Sequence, residues 1–173
     1  MLLMNSHKIG KLAVLAVVSI SMSLASDNWV VRWNGVGPVK IGMNLSELST
    51  VLHETFSMPN AKEDQGCFYV TPAKHPHVAF MIESARLVRI NVDGPGERTA
   101  EGLPVGDSEE RALQLYGPRL KVEPHAYTGP EGHYLTVRSS SGRYGIRFET
   151  EKGKIARFYA GSIEAIQYVE GCQ

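Results

Sequence analysis

Apolar and polar positions alternate over Val78–Val92 and over Tyr144–Ala160, with a short polar turn inside each stretch. Period-two alternation predicts half-buried β-hairpins with one apolar face. In the first hairpin Val78, Phe80 and Ile82 share a face, and Ser84-Ala85-Arg86 turns the chain toward Val88, Ile90 and Val92. Elsewhere the period changes. Leu45, Leu48, Val51, Leu52 and Phe56 recur at helical spacing behind Asn44, an N-cap with Glu47 three residues on to complete a capping box. Ala112, Leu115 and Tyr116 repeat the pattern behind Asp107 or Ser108, and Gly117-Pro118 stops it. Further strands are predicted at 27–34 (an edge strand carrying Trp29, Val31 and Trp33), 67–71, 120–123 and 134–138. A weaker strand signal covers 163–171.

These elements occur twice. A forward step of 68 residues takes Val78 to Ile146, Phe80 to Phe148, Glu83 to Glu151, Arg86 to Lys154, Leu87 to Ile155 and Arg89 to Arg157. A step of 64 takes Ile41-Gly42 to Val105-Gly106. The expected fold is therefore α+β: a tandem repeat of helix plus antiparallel strands, with two helices on one face of an extended antiparallel sheet and the other face open. The boundaries expected are 1–25 for a leader, 26–98 for the first unit and 99–173 for the second, packed as one domain, with 93–102 as linker.

The leader reading rests on basic His7, Lys8 and Lys11, the apolar run Leu12–Leu24, and small residues before a cut after Ala25. The run is too short to span a bilayer as a helix, so no stable membrane insertion is expected once it is cleaved; an uncleaved anchor is the alternative. Removing Lys8 and Lys11 from 18 basic residues leaves 16 against 18 acidic, a net charge of −2. That balance excludes a general nucleic-acid binder, which needs a basic surface. Export to the periplasm, or secretion, is the expected location. In an oxidising compartment Cys67 and Cys172 are expected to be bridged rather than free.

By alternation, Leu135, Val137, Ile146, Phe148, Ile155 and Phe158 supply the helix-covered face, with one irregularity around Ala156. The open face then carries Arg89, Asn91, Tyr134, Thr136, Arg138, Arg147, Glu149, Arg157 and Tyr159. Arginine and tyrosine in that density are the composition of a protein interface; the alternative is a solvated face of cross-strand pairs such as Arg147 or Arg157 with Glu149.

In topology the twice-used unit resembles the tandem repeats of the β-lactamase inhibitory protein family. It also resembles the small outer-membrane assembly lipoproteins, whose helix follows a start like Gly42-Met43-Asn44. Both resemblances imply a binding protein, and the first implies that the concave sheet face grips the partner. Val105-Gly106-Asp107-Ser108-Glu109, the run His125–Leu135, Phe148-Glu149-Thr150 and Glu170-Gly171-Cys172 are similar to a family of uncharacterised exported proteins of Gram-negative bacteria, which implies location. Ser141-Gly142-Arg143-Tyr144 resembles the Ser-Gly-x-x-Tyr loop of periplasmic lysozyme inhibitors, one residue short.

Candidate chemistry is sparse. His75 and His77 stand two apart, but a metal site needs more ligands than they supply, and a solvated loop is expected. His125 and His133 flank the 127–132 turn and read as structural. There is no Gly-x-Ser-x-Gly, no His-Glu-x-x-His and no phosphate-binding glycine loop. Neither a metal nor a cofactor is expected. The function expected is non-catalytic: holding a protein or envelope component on the open sheet face, as an inhibitor or immunity-type factor. The alternative is a cell-wall glycan-binding protein or hydrolase using Glu149, Tyr134 and the arginines, a two-carboxylate reaction calling on Glu149 and Glu170.

Overall fold

The structure, a computed structural model, describes residues 29–60 and 66–172; the leader reading for 1–25 lies outside them. The described chain is predominantly β with two short helices. Its elements in order are β1 (Val30–Arg32), β2 (Gly35–Val36), β3 (Val39–Lys40), α1 (Leu45–Leu52), β4 (Cys67–Val70), β5 (Val78–Glu83), β6 (Arg86–Val92), β7 (Arg98–Thr99), α2 (Glu109–Tyr116), β8 (Leu120–Pro124), β9 (His133–Arg138), β10 (Tyr144–Glu151) and β11 (Lys154–Ser162). Seven strands form one sheet in the order β4-β5-β6-β11-β10-β9-β8. Its neighbours are all antiparallel.

The two halves meet where β6 pairs with β11, from Phe158 opposite Val92 to Gly161 opposite Arg89. Each half contains a hairpin with the same local irregularity. In β5–β6 the register jumps between Met81 and Ile82, leaving Val88 as the extra residue; in β10–β11 it jumps between Glu149 and Thr150, leaving Ala156. Both hairpins turn through two residues of positive φ, Ser84-Ala85 and Lys152-Gly153, as a tight turn matched to strand twist requires. The two helices are attached alike. Gly42 N–H donates to Leu87 O and Leu87 N–H to Met43 O; Gly106 N–H donates to Ile155 O and Ile155 N–H to Asp107 O.

Local chemistry explains the helices. Glu47 N–H donates to Asn44 Oδ1 at 2.9 Å while Asn44 N–H donates to Glu47 Oε2 at 2.8 Å, so the expected capping box is present. Ser108 caps α2 by accepting from Arg111 N–H at 3.0 Å. Gly117, at φ +54°, ends α2 before Pro118.

The core lies on the helix side of the large sheet. Leu48, Ala112 and Tyr116 pack there with Val78, Phe80, Ile82, Leu87, Ile90, Leu135, Val137, Ile146, Phe148, Ile155 and Phe158. Two expectations are corrected. The edge strand around Trp29 does not extend the large sheet. It belongs to a second sheet, β3-β2-β1-β7, whose Val31, Val36 and Val39 join the same core. The stretch 93–102 is not a free linker, because β7 pairs in parallel with β1 and Thr99 is buried against Tyr116, whose hydroxyl donates to Thr99 Oγ1 at 3.0 Å. Burial raises the Tyr116 phenol well above its ordinary value.

The weak strand signal at 163–171 is also corrected. After β11 the chain leaves the ladder, makes a 3-10 turn at Ala165–Gln167, and crosses the second face of the large sheet toward β4. A disulfide joins Cys172 to Cys67 across 105 residues of sequence. We refer to 163–172 as the strap.

Candidate functional site

Cross-strand register sorts the second face into three rows. Tyr69, Met81, Arg89, Gly161, Gly145 and Arg138 stand opposite one another in turn. Next come Ala79, Asn91, Tyr159, Arg147, Thr136 and Lys121. The third row is Arg157, Glu149, Tyr134 and Glu123. All nine residues assigned to this face from alternation therefore lie on it. The face is not open, however. Arg89, Tyr134, Thr136, Arg147, Glu149 and Tyr159 are buried, Asn91 is half-buried, and only Arg138 and Arg157 are exposed.

The strap accounts for much of that burial. Gly145 lacks a side chain where Ile166 lands: a Cβ there would stand 2.7 Å from Ile166 Cδ1. Ala165 and Ile166 are accordingly buried. Arg89 fastens the strap with its whole fork. Nη1 donates to Ala165 O at 3.0 Å and Tyr168 O at 3.1 Å, Nη2 to Tyr69 Oη at 2.9 Å, and Nε to Asn91 Oδ1 at 2.8 Å, with the guanidinium 4.5 Å from the Tyr159 ring centre. Arg147 lies 3.8 Å over the Tyr134 ring and donates to Gln167 Oε1 at 2.5 Å. Its pKa is lowered, chiefly by burial. Two of the four arginines expected to face a partner, Arg89 and Arg147, thus hold the protein's own C-terminal segment.

Glu149 is held at the end of the face by Arg157 Nε at 3.6 Å and His125 Nε2 at 3.5 Å. His125 stacks on Tyr134 at 4.4 Å, and its Nδ1 accepts from Tyr127 and Thr128 N–H. His133 does not meet His125 across the turn. Its Nδ1 lies 3.0 Å from Glu109 Oε2, the same oxygen that accepts from Thr150 Oγ1, so it pins the start of α2 to the sheet. His75 stacks on Trp29 at 3.5 Å and contacts Glu97 at 2.8 Å, while His77 faces Asp93 at 3.7 Å. Among the described residues no group of three or more His, Cys, Asp or Glu is placed to hold a metal.

Above this frame, the strap and the 125–132 turn border a groove lined by Glu83, Tyr127, Tyr168, Val169, Glu170 and the disulfide. Tyr127 donates to Glu170 Oε1, and Tyr168 donates to the Glu83 carboxylate at 3.4 Å. Of the seven large apolar side chains exposed among the described residues, four surround this crossing: Tyr69, Tyr127, Tyr168 and Val169. Sequence reasoning missed them because it read the strap as another strand. Two signals pointed the other way: glycine at positions 145 and 161, where the alternation expects side chains, and a terminal cysteine whose partner lies on β4, at the opposite edge of the sheet from β8.

Both phenols are shifted upward, Tyr127 mainly by its bond to Glu170 and Tyr168 mainly by burial with Glu83 adding to it. A folded-state pKa above the unfolded one gives stability that is complete at lower pH and lost as the phenol ionises. The melting temperature advantage of the wild type over a Tyr127→Phe/Tyr168→Phe double variant should therefore shrink as pH rises above about 10. An advantage constant from neutral pH upward would mean that these hydroxyls do not hold the strap.

Comparison of the chain with protein-family models, with curated proteins and with solved structures finds no match.

Proposed function

We propose that this is a non-catalytic binding protein of the periplasm, exported and oxidised there, which grips a protein partner with the strap side of its sheet. The observation that carries the reading is the gathering of four exposed side chains around the strap: Tyr168 and Val169 on the strap itself, which is fixed at both ends by β11 and by a disulfide, with Tyr69 on β4 and Tyr127 on the 125–132 turn beside it. Large planar side chains on rigid backbone lose little entropy on binding and dominate interface energies. The contact surface is then the strap, the 125–132 turn and the two exposed arginines Arg138 and Arg157, with the buried members of the face acting as its foundation. An inhibitor or immunity-type role suits this arrangement. The absence of a long apolar helix among the described residues is consistent with a protein not inserted in the membrane as a helix.

We further infer that the two halves are copies of one unit. Matched bulges at Val88 and Ala156, matched positive-φ turns, and helix attachments at Leu87 and Ile155 support this. Only the second copy supplies a strap, so duplication produced one gripping surface rather than two.

The alternative, a glycan hydrolase, has less support. Glu149 is engaged by Arg157 and His125, and Glu170 by Tyr127, so each candidate carboxylate already serves structure.

The test is capture from envelope extract on the immobilised oxidised protein, with a Tyr127→Ala/Val169→Asp variant in parallel. A protein retained in stoichiometric amount by the wild type and reduced at least tenfold on the variant is expected. Equal retention by both, or none by either, would remove this reading.

A further inference from the structure

Beside the strap, at the β8–β9 edge, a separate recess of about 260 Å³ is lined by Arg119, Lys121, Glu123, Thr136, Arg138 and Gln167. Arg119, Lys121 and Arg138 line it, and Arg147 reaches its rim through Gln167. Among the lining residues the one carboxylate is Glu123, which takes a 2.8 Å bond from Lys121. Its pKa is lowered first by that bond and further by the charges of Lys121, Arg147 and Arg138. Glu149 faces Arg147 from the adjoining row. Arg119 and Arg138 form no ion pair with a described residue.

Thr136 also lines the recess. It is 4 % exposed, and its Oγ1 is buried with no hydrogen-bond partner. An unpaired buried hydroxyl is destabilising, and native proteins seldom retain one without a ligand or water to receive it. Here it lies among four cations, where an anion's oxygen would both accept its hydrogen and neutralise the surrounding charge.

We infer that this recess binds a phosphate group. Two guanidinium forks, an ammonium, a hydroxyl and the Gln167 amide approach from several sides, which suits a tetrahedral group with three acceptor oxygens and close to two charges better than a flat carboxylate with one. The phosphate is either free or the terminal group of a larger molecule.

Isothermal titration calorimetry on the oxidised protein at low ionic strength tests this, using inorganic phosphate, a sugar monophosphate and acetate as separate titrants. Saturable one-site binding of phosphate at millimolar concentration is expected, at least tenfold weaker in Arg138→Gln and at least fivefold weaker in Thr136→Val, and unchanged in the distant Arg32→Gln. Thr136→Val removes an unpartnered hydroxyl and keeps the side-chain shape, so its melting temperature should not fall and its loss of binding cannot be ascribed to misfolding. Tighter binding of the sugar phosphate than of phosphate identifies an esterified ligand; the reverse identifies the free ion. The inference is overturned if phosphate gives no saturable heat, if acetate binds equally well, or if Arg138→Gln and Thr136→Val both retain wild-type affinity. Failure of this test leaves the strap-side reading intact, because the Tyr127→Ala/Val169→Asp variant does not touch the recess.

Discussion

Replacing Arg89 by Met should lower the free energy of unfolding by about 3 kcal/mol, measured by urea denaturation. The side chain is 3 % exposed, and its removal takes the charged donor from two carbonyls of the strap, the Tyr69 hydroxyl and the Asn91 amide oxygen, of which the Ala165 carbonyl bond is buried and the others half-buried. Each hydrogen bond to a charged donor contributes about 1.5–3 kcal/mol, partly offset by no longer desolvating the guanidinium. Arg89→Lys should recover only part of the loss, because an ammonium cannot reproduce a planar fork aimed at four acceptors. A loss below about 1 kcal/mol in Arg89→Met would show that the strap does not depend on this residue.

Breaking the Cys67–Cys172 bridge as a Cys67→Ser/Cys172→Ser pair should cost about 3–5 kcal/mol, since a ring of this length restricts the unfolded chain strongly. Hydrogen exchange should locate the change: the amides of Gln167 and Tyr168, which donate to Glu164 O and Ala165 O, should lose protection while β10 and β11 keep theirs. Because Arg89 and the bridge hold the same strap, the two losses should combine to less than their sum when Arg89→Met is added. Additivity within about 0.5 kcal/mol would mean that they act on separate parts of the structure.

The two faces of the large sheet differ in how readily they could be read from sequence. Hydrophobic alternation placed Ile146, Phe148 and Phe158 against the helices, and the tolerance for an irregularity at Ala156 coincides with a real bulge. The helix starts were equally legible, because Asn44 and Glu47 form their capping box through local bonds alone. On the opposite face the same alternation put Arg89, Arg147 and Glu149 on the correct side but could not show what lay over them. What covers them is a segment with no period, and its docking depends on contacts between residues 76 and 79 positions apart, which no local pattern encodes. The small sheet was missed for a related reason. Two-residue strands such as β2, β3 and β7 are too short to show alternation, and β7 is joined to β1 by contacts some 68 positions apart. The recess at Thr136 combines both difficulties, since Arg119 and Lys121 read only as a charged strand edge until Gln167 is folded over from the far end of the chain.

The ring closed by Cys67 and Cys172 encloses all seven strands of the large sheet together with β7 and α2. A single proteolytic cut in an exposed turn such as 139–142 would therefore leave one covalent molecule until the bridge is reduced. Residues 29–66 lie outside the ring, so α1 and strands β1 to β3 are held to it by packing, hydrogen bonds and the Arg86–Glu47 ion pair, with no cross-link of their own among the described residues. The covalent boundary thus falls between α1 and the β5–β6 hairpin. The amino-terminal layer can therefore separate from the core without any change in the ring, while the strap and the surface it carries stay closed.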